Sequence, residues 1–246
     1  MMLFLRSLLF SIGMILSVIV YAPISLLTFP APYLFRYRFI LQWSRFILWW
    51  AKVTCNIRYE IIGKENIPTE PCIIFCKHQS TWETFALQVF FVPLCTILKK
   101  ELLNVPFFGW ALRLLEPIAI DRNKGKESIK QLLRDGVNRL EQKRWVLIFP
   151  EGTRVPAGTT KPFNKGGSIL ASSSKYPVLP IAHNAGEFWP RRQFLKKPGT
   201  IQFCIGPLIH SEELSSHQIT AAAEQWINEK VEAISQQQVG KQNEIS

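Results

Sequence analysis

The chain has 246 residues, of which 48% are hydrophobic, and carries a formal net charge of +11. That is enough for one substantial domain with its own core plus an appendage, and it excludes a disordered polyelectrolyte. The five cysteines, at 55, 72, 76, 95 and 204, are odd in number and share no paired spacing. They exclude a disulfide framework and a zinc site, and fit small buried hydrophobes in a reducing compartment.

The positive charge gathers in residues 36–206 and reverses sign beyond 207. Such a chain is drawn to a polyanion, either nucleic acid or an anionic membrane face. The N-terminal segment decides between them. Residues 7–35 carry no charge at all, and about 20 apolar residues suffice to cross a bilayer. Pro23, Pro30 and Pro32 interrupt the run, so it reads either as one span over about residues 3–22 or as a bent hairpin within one leaflet. Arg6 precedes the run, whereas Arg36, Arg38, Arg45, Lys52 and Arg58 follow it. The positive-inside rule then puts the bulk of the chain on the cytoplasmic face of a bacterial-type inner membrane. A cleaved signal peptide competes with this reading. The single arginine ahead of the run, and a proline directly after Val20-Tyr21-Ala22, argue against it.

Residues 33–53 come next. Arg38, Gln42, Arg45 and Lys52 fall on one helical stripe with aromatics and aliphatics around the rest. This is the pattern of a helix lying at a membrane interface, or alternatively of a core helix with a solvated stripe. Its apolar face is too broad to leave in water beside nucleic acid, so membrane lipids are the expected partner and nucleic acid is not. Residues 1–56 are accordingly assigned to N-terminal membrane-anchoring helices and 57–246 to a following domain.

That domain alternates short apolar runs with helix-period segments. Strands are predicted at 57–62, 72–75, 96–99, 117–120, 145–149, 178–182 and 201–205, and helices at 81–91, 128–143 and 213–236. The alternation specifies an α/β fold, a mostly parallel sheet flanked by helices and preceded by the membrane helices. In such sheets ligands collect at the carboxyl ends of the strands. His78 follows one predicted strand and Glu151 another.

The stretch CKHQSTWETF, residues 76–85, admits two readings. Ser80 and Glu83 match a capping box, with Glu83 reaching back to the amide of the cap. Alternatively, His78 on the preceding turn folds back onto Glu83. Residues five apart on a continuous helix point about 140° away from each other, so the histidine has to precede the helix. The carboxylate then fixes one ring nitrogen and leaves the other as a base. A base without a protein nucleophile suits deprotonation of a substrate hydroxyl that attacks a carbonyl. In FPEGTR, residues 149–154, Gly152 permits a tight turn whose amides can face an anion. Arg154 offers a planar fork for phosphate oxygens, or pairs locally with Glu151.

KHQSTWE resembles the first motif of the glycerolipid acyltransferases, asparagine followed by H-x-x-x-x-D, with Lys77 at the asparagine position and Glu83 at the aspartate. ILKKELLNVPFFGWALRLLEPIAIDR, residues 97–122, is similar to the second block, although Glu116 stands where glycine is common. FPEGTR matches the third block without change, KPFNKG at 161–166 its extension, and VLPIA at 178–182 the fourth. The resemblance covers about residues 60–210. It implies transfer of a fatty acyl group from acyl-CoA or acyl-ACP, as co-substrate, to the sn-2 hydroxyl of a lysophospholipid, foremost 1-acyl-glycerol-3-phosphate. His78 and Glu83 are then catalytic, and Lys99, Arg122, Glu151, Gly152, Thr153 and Arg154 bind substrate, with no cofactor and no metal. Three alternatives stand beside it: another lysophospholipid acceptor, a thioesterase-like hydrolase using Cys76, and a non-enzymatic basic membrane-binding protein.

Overall fold

The computed structural model describes the backbone of residues 1–243 and the side chains of residues 1–236 apart from Arg122. Helices α1 (Met2–Leu26) and α2 (Tyr33–Cys55) come first, then β1 (Ile57–Ile62), β2 (Ile73–Cys76), α3 (Trp82–Phe90), β3 (Leu94–Lys99), α4 (Phe108–Arg113), β4 (Ile118–Ile120) and α5 (Lys126–Glu141). They are followed by β5 (Trp145–Ile148), α6 (Gly166–Ser174), β6 (Val178–His183), α7 (Ala185–Phe188), β7 (Gly199–Ile205) and α8 (Ser216–Asn243). The predicted strands are all present. The helices α4, α6 and α7 were not anticipated: α4 and α7 span only six and four residues. The α6 sequence, GGSILASSS, is poor in helix-forming residues and depends on its packing.

The strands form one seven-stranded sheet in the order β1-β7-β6-β2-β5-β3-β4. Every pairing is parallel except β6 with β7. Period-two alternation divides the core. Cys72, Ile74 and Cys76 face a cluster containing Tyr37, Ile40, Ile47 and Trp82, on the side of α1, α2 and α3. Ile73 and Phe75 face the opposite cluster, which contains Leu132, Leu170, Ile219 and Ile227 of α5, α6 and α8. With both faces covered, the central strands have to be apolar throughout, which is why residues 72–75 and 145–148 read as unbroken hydrophobic runs. The chain leaves β2 toward β3 on one side and leaves β5 toward β6 on the other. The ends of β2 and β5 therefore flank a crevice.

Helices α1 and α2 run antiparallel. Trp50 Nε1 donates to Phe10 O at 3.3 Å, Trp43 Nε1 to Ser17 Oγ at 3.0 Å and Tyr21 Oη to Phe39 O at 2.6 Å. Gly13 makes the approach possible, since a Cβ there would lie 2.3 Å from Trp50 Nε1. The helix runs through Pro23 to Leu26, past the end expected at residue 22. Pro23 has no N–H to give to Ile19 O, and the helix continues for less than one turn beyond it. At 25 residues, α1 spans about 37 Å, and it is the one helix among the described residues long and apolar enough to cross a bilayer. Its outward face exposes Phe4, Leu5, Leu9, Ile15, Leu16 and Val20.

Helix α2 buries Tyr37, Ile40, Leu41, Ile47, Leu48 and Ala51 in the same core as the sheet, while Arg38, Gln42, Arg45 and Lys52 form its exposed stripe. Glu116 secures its start, pairing with Arg36 and with Arg144, each at 2.9 Å. The Glu116 backbone has φ 50°, the left-handed region that favours glycine.

Candidate active site

Strand β2 ends at Cys76 and α3 begins at Trp82, so His78 lies on the turn before the helix. Its Nδ1–H points at Glu83 Oε1, 2.8 Å away. A carboxylate only accepts, so the proton sits on Nδ1 and Nε2 is left as the basic nitrogen. The same Oε1 accepts the amides of Gln79 at 3.0 Å and Ser80 at 2.8 Å. Ser80 Oγ accepts from Trp82 N at 3.1 Å and donates to Trp189 O at 2.6 Å. Both readings of Glu83 therefore hold at once: it caps the helix and it orients the imidazole.

Glu83 is fully buried. Burial works against its charge, but its other neighbours, His78 and the Ser80 amide among them, outweigh that and hold the carboxyl below its ordinary value. Its Oε2 has no hydrogen-bond partner and lies 4.0 Å from His183 Nε2. His183 is itself fully buried. Its Nε2 donates to Lys77 O at 2.8 Å and its Nδ1 accepts from Ala185 N at 3.2 Å, and burial holds its pKa down. It is a neutral imidazole buttressing the dyad. On the open side, the ring of Phe149 stacks on His78 with centroids 3.9 Å apart and planes 17° from parallel.

The FPEGTR turn leaves β5 beside this loop. Gly152, at φ 70°, donates its amide to Phe149 O at 2.9 Å and so closes the turn. Glu151 is fully buried and turns inward. Its Oε1 accepts from Lys77 Nζ at 2.6 Å and its Oε2 from His78 N at 2.8 Å. Arg154 turns to the crevice. Burial lowers its pKa, its Nε has no hydrogen-bond partner, and its carbonyl accepts from Arg191 at 2.6 Å.

His78, Phe149, Gly152, Arg154 and Lys99 line one cavity of about 300 Å³. It follows one face of α3, through Thr81, Thr84, Phe85 and Gln88, for about 10 Å, under a roof of Tyr21, Ala22 and Ser25 from α1 and Ile40 and Ser44 from α2. Gln88 Nε2 donates to Thr96 Oγ1 at 3.3 Å at the far end. The interior is thus apolar and the mouth polar. Of the sequence-derived site residues, His78, Gly152, Arg154 and Lys99 come together here, with Glu83 buried behind His78. Lys99 is half exposed and pairs with Glu101 at 3.3 Å. Glu151 and Thr153 do not line the cavity. Arg122 opens a 3-10 turn, Arg122–Lys124, and its side chain lies outside the described residues. Phe149 and the buried state of Lys77 were missed. His183, which follows the 178–182 strand and from sequence either lines the cleft or sits in a loop, is instead buried behind Glu83. Among the described residues no group of three or more His, Cys, Asp or Glu could hold a metal ion.

Cys76 is shut away. Its thiol donates to Lys77 O at 3.3 Å, and burial, with Glu83 and Glu151 nearby, pushes its pKa well up.

A base held by a buried acid, with the nearby Cys76 thiol shut away, opens on a largely apolar slot that also carries Lys99 and Arg154. Such a site can take a proton from a hydroxyl held beside the ring. The acyltransferase family model matches residues 58–184, and the chain belongs to that family. A 1-acyl-sn-glycerol-3-phosphate acyltransferase of Pseudomonas aeruginosa is 50% identical over 94% of this chain and 91% of its own length. One from Saccharomyces cerevisiae is 38% identical over 53% of this chain and 44% of its own length. The crystal structure of the 1-acyl-sn-glycerophosphate (LPA) acyltransferase PlsC from Thermotoga maritima has the same fold, with a TM-score of 0.77 at 22% identity over 94% of this chain and 95% of that one.

Proposed function

We propose that the chain acylates the sn-2 hydroxyl of 1-acyl-sn-glycerol-3-phosphate, giving phosphatidate, with acyl-CoA or acyl-ACP as the thioester donor. The observation that carries the reading is the 2.8 Å contact of His78 with buried Glu83, at the mouth of the apolar cavity that also holds Arg154. Nε2 of His78 removes the hydroxyl proton as the oxygen attacks the thioester carbonyl. The tetrahedral adduct collapses with cleavage of the carbon–sulfur bond, and the imidazolium returns its proton to the departing thiolate. Glu83 stabilises the imidazolium between the two steps. Arg154 and Lys99 bind phosphate, a role the family resemblance gives to Arg122 as well, the turn at 151–153 shapes the mouth, and the cavity under α1 takes the acyl chain. The hairpin of α1 and α2 holds the site at the bilayer, on its cytoplasmic side, as the basic residues after α1 favour.

The test supplies the purified full chain in detergent with lysophospholipids of different headgroups, each with labelled acyl-CoA or acyl-ACP, and identifies products by mass spectrometry. Phosphatidate from lysophosphatidate supports the reading. Preference for a choline or ethanolamine headgroup overturns the substrate, and release of free fatty acid alone overturns the transferase.

A further inference from the structure

Glu151 sits in the best-matched motif of the chain, yet neither of its oxygens reaches the cavity. One is 2.6 Å from Lys77 Nζ and the other 2.8 Å from the amide of His78. Lys77 and Glu151 both have 0% side-chain exposure. Lys77 Nζ also donates to Thr159 O at 3.3 Å, so two of its three N–H donors go to the protein, and the side chain is closed to solvent. We propose that Lys77 and Glu151 form a buried clamp that positions His78, and that Glu151 is a positioning residue rather than a substrate ligand. The proposal rests on the acyltransferase reading of the site for its kinetics alone.

The clamp grips the backbone of the catalytic histidine from both sides. Glu151 takes the amide of His78, and Val155 N donates to the His78 carbonyl at 2.7 Å. The preceding carbonyl, that of Lys77, takes the proton of His183 Nε2 at 2.8 Å. The loop carrying the base is thereby fastened to the turn carrying Arg154, so that base and phosphate ligand keep a fixed separation. Burial pushes the Glu151 carboxyl up, while Lys77 and the His78 amide pull it back. Removing either partner strands the other charge in the interior, whereas removing both charges does not. That asymmetry is the signature of a clamp, because a substrate ligand has no reason to depend on Lys77.

The experiment compares Lys77→Met, Glu151→Gln and the double variant in the full chain. Kinetics on lysophosphatidate are paired with amide hydrogen exchange over residues 77–80. Each single variant should lower kcat by about a hundredfold, as expected for a misplaced base, with KM for lysophosphatidate within about twofold of wild type. Exchange at 77–80 should quicken in both. The double variant should turn over faster than the slower single one, because the two losses share one cause. A Glu151→Gln enzyme with raised KM and unchanged kcat overturns the proposal, since it marks substrate contact. Multiplying losses in the double variant also overturn it, as does unchanged exchange at 77–80. If Lys77→Met fails to fold while the double variant folds, the stranded carboxylate is shown directly and the clamp stands. Should wild-type protein acylate no lysophospholipid, the substrate reading fails, and the exchange measurement still decides the clamp.

Discussion

A single oxygen, Oε1 of Glu83, accepts from His78 Nδ1 at 2.8 Å and from the amide of Ser80 at 2.8 Å. Orientation of the base and initiation of α3 are thus one structural event. Glu83→Gln retains an oxygen for all three donors and loses the charge that steadies an imidazolium. It should keep a near-wild-type melting temperature and lose about a hundredfold or more in kcat. Glu83→Ala should lose activity and also about 1 kcal/mol of stability as the helix start goes uncapped. Thermal melting beside steady-state kinetics separates the two roles. Equal activity of Glu83→Gln and wild type would falsify the dyad.

That double duty explains what the sequence could and could not disclose. The capping pattern and the histidine pattern overlap at Glu83, so local spacing alone left both open, and the second, third and fourth blocks tipped the balance. The central strands β2 and β5 were legible because both sheet faces are covered there and the runs are unbroken. Lys77 was legible only as the residue at the asparagine position of the first motif, and Glu151 only as a substrate-binding residue of the third. Their pairing spans 74 residues of sequence, and no short-range period reports a contact between the ends of two strands separated by α3, β3, α4, β4 and α5. The stacking of Phe149 on His78 was hidden for the same reason.

Phe149 constrains the imidazole from its open face at a centroid distance of 3.9 Å. An aromatic pair contributes about 0.5–1.5 kcal/mol beyond simple burial. Phe149→Leu should therefore lower kcat by about twofold to tenfold with little change in KM, and Phe149→Tyr should restore it. A rise in KM alone would show that the ring touches the acyl chain instead.

Cys76 lies two residues from the base, and its thiol is buried with its proton directed to Lys77 O. Burial keeps it protonated, so it supplies no thiolate for an acyl-enzyme. Cys76→Ala should retain transferase activity within about twofold of wild type. Mass spectrometry of enzyme quenched during turnover should find no acyl group on the protein. A covalent adduct at residue 76 would reverse this conclusion.

Ala22 and Ser25 are buried and close the cavity from the α1 side. A larger side chain there takes space from the acyl chain before it touches the dyad, which lies at the opposite end of the α3 face. Ala22→Leu and Ser25→Leu should shift acyl preference toward shorter chains. The loss in kcat/KM for the longest should be about tenfold or more, since even one methylene can be worth that in an apolar pocket. An unaltered chain-length profile would place the acyl chain elsewhere.

His183 couples the site to pH through stability. Burial lowers its pKa in the folded state from the ordinary 6.5. Below about 6.5 the unfolded chain binds a proton that the folded one refuses. The stabilisation is complete above the unfolded value and drains away as pH falls toward the folded one. Glu151 and Glu187, whose carboxyls burial pushes up, contribute with the opposite sign, so the wild-type curve alone mixes the effects. His183→Gln keeps a donor for Lys77 O and removes the titrating group. Its melting temperature should fall less steeply between neutral and mildly acidic pH than that of wild type. Parallel curves would mean that His183 is protonated without penalty, and the neutral buttress behind Glu83 would have to be abandoned.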